Sequence, residues 1–199
     1  MKKNILFMLF ALFSTFAIPL IAGETTRESR DVSAFSEVEV GSALVVEIRK
    51  GNAHSLELEG RPEDLKKVTT AIKGGELSIK LKSSEKVKTV KVFITMPELK
   101  GVDLSGSSNM KVLDVFKAEH FDMDLSGAST LEIELDCSQS LDIHSSGASV
   151  LNLKGSAPSS TINGSGASTL NARGFTSARL KADLSGATKL KIAVKDGIE

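Results

Sequence analysis

The sequence predicts an all-β chain, a right-handed parallel β-helix (β-solenoid) with coils of about 20 residues. Three observations predict it. A short Ser-Gly-small-Ser/Thr motif recurs five times after residue 101, apolar residues alternate with polar ones around each copy, and a glycine occupies the same place in every copy. The copies are Leu104–Ser108, Leu125–Ser129, Ser145–Ser149, Gly164–Ser168 and Leu184–Thr188, with their leading serines 21, 20, 19 and 20 residues apart.

Taken from the N-terminus, residues 1–22 have the order of a secretory signal. Lys2 and Lys3 precede an apolar run from Ile5 to Ile21, and the small residues Ala22 and Gly23 follow. No cysteine follows that run, so a lipid anchor is not expected. Residues 23–34 are polar and read as a linker. Residues 35–199 then form a single domain, with irregular first coils and a cap over 35–100 and regular repeats over 101–199.

Within 35–100, alternation predicts strands at Val38–Val40, Leu44–Ile48, Leu56–Leu58, Leu77–Leu81 and Val90–Ile94. Between the third and fourth, Leu65, Val68 and Ile72 have helical spacing behind Pro62, and Gly74-Gly75 follows, which predicts one short helix.

In the repeat half, the columns become visible when the copies are aligned on Ser105, Ser126, Ser146, Ser165 and Ser185. Five places on stand Met110, Leu131, Leu151, Leu170 and Leu190; seven places on stand Val112, Ile133, Leu153, Ala172 and Ile192. The residue between is polar in every copy, so the period is two and the element is a strand. Gly106, Gly127, Gly147, Gly166 and Gly186 are the expected corner residues, because glycine alone takes positive φ at little cost. The small residues after them, Ser107 and Ala128 among them, are expected where a corner has little interior room. Units this short bury an apolar face only by stacking.

Several motifs together resemble a known family. Phe35-Ser36-Glu37-Val38-Glu39-Val40, Gly75-Glu76-Leu77-Ser78-Ile79, Ile94-Thr95-Met96-Pro97-Glu98-Leu99 and the recurring Ser-Gly-Ala-Ser run are similar in kind and order to the "putative auto-transporter adhesin, head GIN domain" family. The resemblance spans roughly residues 30–195. It implies a β-helical fold, a cell-envelope or secreted location typical of Bacteroidetes proteins, and an adhesive role without assigned catalytic residues. Family members usually end in further coils and a Tyr-x-Gly-x-Pro stretch. This chain has no tyrosine and ends Asp196-Gly197-Ile198-Glu199, so its last coil is expected to be open or its cap lost.

Composition excludes some functions. Lysine plus arginine and aspartate plus glutamate number 25 each, which gives no positive field for nucleic acid. No stretch after the leader is long and apolar enough to be a transmembrane anchor. A lone Cys137 cannot form an intramolecular disulfide and reads as an isolated, partly buried thiol. His54, His120 and His144 lack metal-ligand spacing, so neither a metal nor another cofactor is expected. Ser83-Ser84-Glu85-Lys86 has Ser-x-x-Lys spacing without the accompanying motifs of that chemistry.

Two places before each repeat serine stand Asp103, Asp124, His144, Asn163 and Asp183, which should stack as an outward polar ladder. It is the candidate ligand-binding face. Two readings follow. One is an exported, non-enzymatic interaction module, an adhesin by the family resemblance, with a protein or glycan partner at the cell envelope. The other is a carbohydrate-binding or carbohydrate-active β-helix using Asp103 and Asp124 as a carboxylate pair. The edge from Gly186 to Val194 is the candidate for self-association, with Lys189, Lys191 and Lys195 discouraging indiscriminate pairing.

Overall fold

The computed structural model describes residues 25–82 and 87–198. The leader at 1–22 and the Ser83–Lys86 segment lie outside the described residues. The elements, in chain order, are β1 (Thr26–Arg30), β2 (Glu37–Val40), β3 (Leu44–Lys50), β4 (Ser55–Gly60), α1 (Pro62–Leu65), β5 (Val68–Lys73), β6 (Glu76–Leu81) and β7 (Val90–Met96). They continue with β8 (Gly101–Leu104), β9 (Asn109–Val112), β10 (Phe116–Leu125), β11 (Thr130–Ser145), β12 (Val150–Gly164), β13 (Thr169–Leu184) and β14 (Lys189–Ile198).

The repeats pile up as a parallel β-solenoid. Leu131 pairs with Leu151 and Leu151 with Leu170, while Met123 pairs with Ile143 and Ile143 with Ile162. Like residues therefore lie on like along the stack, about 4.8 Å per coil. Leu131, Leu151 and Leu170 are each no more than 1% exposed. Burying one leucine stabilises the fold by about 1.5–3 kcal/mol, so each coil is held chiefly by its neighbours.

The five glycines line one edge. All have φ between 66° and 72° except Gly166 at 76°, and the amide after each of the last four donates to the carbonyl of the glycine one coil below, as Ala148 N–H does to Gly127 O at 2.7 Å. The small residues after the glycines face outward, contrary to expectation. The turn points that side chain to solvent, and the next residue turns in. Ser108, Ser129, Ser149 and Ser168 thus form a buried serine column. Ser149 Oγ bonds Ser145 Oγ at 2.7 Å and Ser168 Oγ at 3.1 Å, whereas the buried Ser129 Oγ has no partner.

The first half supplies coils out of sequence order. β2 lies between β6 and β8, and β3 lies between β7 and β9, all parallel. The coil built from β2 and β3 is therefore sandwiched between the later β6–β7 coil and the repeats. Its corner residue is Ser42, at φ 76°, whose backbone sits against Gly106. Ser42 is the only non-glycine with positive φ among the described residues.

Beyond the β6–β7 coil the pairing becomes antiparallel: β5 on β6, β4 on β7, and β1 on β4. These strands form the cap. Two expectations change here. The helix shrinks to α1, because the β-branched run Val68-Thr69-Thr70 with Ile72 prefers β5. Gly74-Gly75, at φ 63° and 88°, is then the two-residue turn of the β5–β6 hairpin rather than a helix end. The stretch read as a polar linker contains β1, held by Arg27 Nε to Glu59 Oε2 at 2.8 Å and by Arg30 to the carbonyls of Leu65 and Val68 at 3.1 Å.

Candidate functional site

Each strand ending at a corner serine places its odd and even residues on opposite faces. Val102, Leu104, Met123 and Leu125 turn into the core. Asp103 and Asp124 consequently point out. Parallel registers without a slip at this face carry the alternation from coil to coil: Asp103 pairs with Asp124, Asp124 with His144, His144 with Asn163, and Asn163 with Asp183. The structure thus brings all five predicted residues into one column. It also extends that column beyond the repeats, to Glu39 opposite Asp103 and Ser78 opposite Glu39.

A second outward column runs beside the first, from Glu76 through Glu37, Gly101, Asp122, Asp142 and Thr161 to Lys181. The acids crowd at the capped end of both columns, whereas the other end carries Asn163 and a single acid, Asp183, beside Lys181. Sequence reasoning missed Glu37, Glu39, Glu76, Asp122 and Asp142. The signal was available, since Glu37-Val38-Glu39-Val40 has the same alternation as Gly101-Val102-Asp103-Leu104, but the β2 coil lacks the Ser-Gly motif.

Crowding of carboxylates is visible in their protonation. Partial burial pushes Asp103 above its usual range, and the charges of Glu39 and Asp124 add to the effect. Glu76 is raised in the same way, by burial and then by Glu39, Glu37 and Asp103. Glu39 moves down instead, because Lys80 Nζ donates to its Oε1 at 2.5 Å. Gly101 adds no side chain, so a depression of about 140 Å³ opens between Glu37, Glu76, Asp103, Asp122 and Asp124. No group of three metal-ligating side chains converges among the described residues.

The other end of the ladder has a larger depression, about 340 Å³, lined by Asp124, His144, Asn163, Asp183 and the repeat serines Ser126 and Ser146. Asn163 Nδ2 lies 3.4 Å from His144 Nδ1. These are donors and acceptors with one coil between successive positions, suited to repeated polar contacts. Asp103 and Asp124 stand side by side on adjacent strands of one sheet. Glycosidic cleavage needs two carboxyls flanking the scissile bond, and this placement puts both on one side.

The remaining candidates have local structural roles. His54 Nε2 bonds Phe35 O at 2.8 Å and its ring packs against that of Phe35 at a tilt of 58°. His120 Nδ1 bonds Ser140 Oγ at 2.8 Å. The Cys137 thiol is buried and pushed up to about 12, by burial first and then by Asp136, so it remains protonated and a poor nucleophile. On the neighbouring sheet the outward row Lys111, Glu132, Asn152, Asn171 borders a groove of about 560 Å³. Lys111–Glu132 at 3.3 Å and Asn171–Asn152 at 3.2 Å are already paired within it.

Solved structures share this fold. A "putative adhesin" from Bacteroides fragilis superposes with a TM-score of 0.78 at 20% identity, covering 83% of this chain and 78% of its own. A "putative adhesin" from Parabacteroides distasonis gives 0.61 at 14% identity, covering 89% and 97%. A "putative lipid binding protein" from the same species gives 0.58 at 14% identity, covering 89% and 96%. No curated protein matches the chain. At these identities the structures speak for the solenoid alone. The family profile described as "putative auto-transporter adhesin, head GIN domain" matches residues 34–199, nearly the whole described domain, and the chain belongs to that family.

Proposed function

We propose that the protein is an exported, non-enzymatic interaction module of the cell envelope that engages its partner sideways, through the outward ladder. The observation that carries this reading is the unbroken column from Glu39 to Asp183, presented by a sheet whose other face is buried in the core from Val38 and Val40 to Ile162. Rigid strands hold polar groups at fixed intervals, which suits recognition of an extended partner by many weak contacts. Family membership supports an adhesive role, and a leader over residues 1–22 would deliver the chain to the envelope. No helix among the described residues is long and apolar enough to cross a membrane.

The test is fractionation of cells expressing the full chain, combined with protease treatment of intact cells. Digestion from outside is the expected result, and confinement to the periplasm would remove adhesion. A glycan array separates the enzymatic or lectin alternative. Binding or cleavage of a glycan that disappears in Asp103→Ala/Asp124→Ala would replace this reading with the carbohydrate one.

A further inference from the structure

The two ends of the stack are finished differently. At the capped end β4 and β5 cover the edges of β7 and β6, and the outermost strand β1 (Thr-Arg-Glu-Ser-Arg) has no apolar residue. At the other end, among the described residues, β14 pairs with β13 only. Lys189 N–H donates back to Ser168 O at 2.9 Å. Alternation along a parallel strand then turns the N–H and C=O of Leu190 and Ile192 outward, away from β13. The apolar lining is uncovered there too. Leu190, Ile192 and Val194 are only partly buried and Leu184 is 39% exposed, whereas Leu170 and Ala172, one coil below, are 1% exposed.

We propose that this end binds an extended acidic segment of a partner protein, added to β14 as a further strand. Backbone groups of Leu190 and Ile192 supply the pairing, and the partner's apolar side chains close the core. The charge pattern selects the chemistry. The exposed side chains of β14 include Lys189, Lys191, Ala193, Lys195 and Asp196, so three lysines outweigh one acid along the strand, and Lys181 and Asp183 stand on the adjoining edge. Glutamate or aspartate at alternate positions of the partner strand complements that row. A second copy fits less well. Its capped end presents no free β6 or β7 edge, and two-fold pairing of β14 with itself that keeps Leu190, Ile192 and Val194 inward sets Lys189 against Lys195, or Lys191 against Lys195, in its central registers.

The β14 edge adjoins only the last position of the ladder, Asp183, and its test does not depend on the function proposed above. Fluorescently labelled peptides of alternating glutamate and valine, and of alternating lysine and valine, are titrated with the full chain and followed by polarisation. The glutamate peptide should bind more tightly, by roughly tenfold from three exposed charge pairs. Lys189→Glu/Lys191→Glu/Lys195→Glu, checked for an unchanged circular dichroism spectrum, should reverse the preference. Asp124→Ala should leave it alone. N-methylation of every second residue in the glutamate peptide keeps its charge and removes its edge donors, so it should abolish binding. Equal binding of both peptides, binding that survives N-methylation, or no binding of either would overturn the proposal. Sedimentation as a dimer that excludes the peptides would assign the edge to a second copy instead.

Discussion

Replacing Gly147 with alanine tests the corner geometry quantitatively. At φ 72° an L-residue is strained by about 1–2 kcal/mol. The new Cβ would also lie 2.5 Å from Gly127 O and 3.0 Å from Gly127 N, both backbone atoms of the coil below. Relief requires the coils to part locally, an overpacking cost of about 1–3 kcal/mol. The sum is about 2–5 kcal/mol. Gly74→Ala isolates the first contribution, since Gly74 has φ 63° and nothing within 4 Å of its added Cβ. Its cost should be about 1 kcal/mol. Urea unfolding followed by circular dichroism and by a second probe, to establish that both variants unfold globally, gives the difference. Gly147→Ala should be the less stable of the two by about 1–3 kcal/mol. Equal losses would mean that the corners do not touch from coil to coil, and the reasoning would fail.

The remaining predictions concern single sites. Ser42→Gly removes the strain at φ 76° and forfeits only a long 3.4 Å bond from Leu81 N–H, so it should stabilise the fold by about 0.5 kcal/mol in the same assay. Ser129→Ala should be neutral or stabilising because its buried hydroxyl has no partner, while Ser149→Ala breaks two hydroxyl bonds and should cost about 1–2 kcal/mol. Asp103→Asn should raise stability at neutral pH, by a few tenths of a kcal/mol after solvent screening. Because the folded pKa of Asp103 lies above the ordinary 3.8, the native state holds its proton more tightly; the stability it contributes is present below 3.8 and lost as pH rises through the folded value, so the advantage of asparagine should vanish in acid. Cys137, with its thiol near 12, should resist alkylation at neutral pH in the folded protein and react when it unfolds.

The second half was readable because its information is local and repeated. An apolar pair two residues apart, a glycine and a fixed interval define strand, corner and coil without knowledge of what lies across the core. The β2 and β3 strands were equally readable, but their place between β6–β7 and the repeats was not, since alternation specifies a face and not a neighbour. Their corner hid the relationship, with Gly41-Ser42 where the repeats have Ser-Gly. The Leu65, Val68, Ile72 spacing suggested a helix for the same reason: three apolar residues fit either period, and the antiparallel partner β6 decided for the strand. The ladder at Asp103, Asp124, His144, Asn163 and Asp183 followed from period two once the coils were aligned. The acids of Glu37, Glu39 and Glu76 joined it only through the transposed coil.

The claim beneath the proposed interaction surface is that one column runs unbroken from Ser78 through Glu39 and Asp103 to Asp183, with the β2–β3 coil inserted ahead of its place in sequence. Spin-label distances test it directly, in a background with Cys137→Ser. With about 4.8 Å per coil, labels at Glu39→Cys and Asp183→Cys should be about 24 Å apart, and labels at Ser78→Cys and Asp183→Cys about 29 Å. The first distance should be the shorter by one coil. The reverse order, with Ser78 nearer to Asp183 than Glu39 is, would show coils stacked in sequence order and would contradict the surface described here.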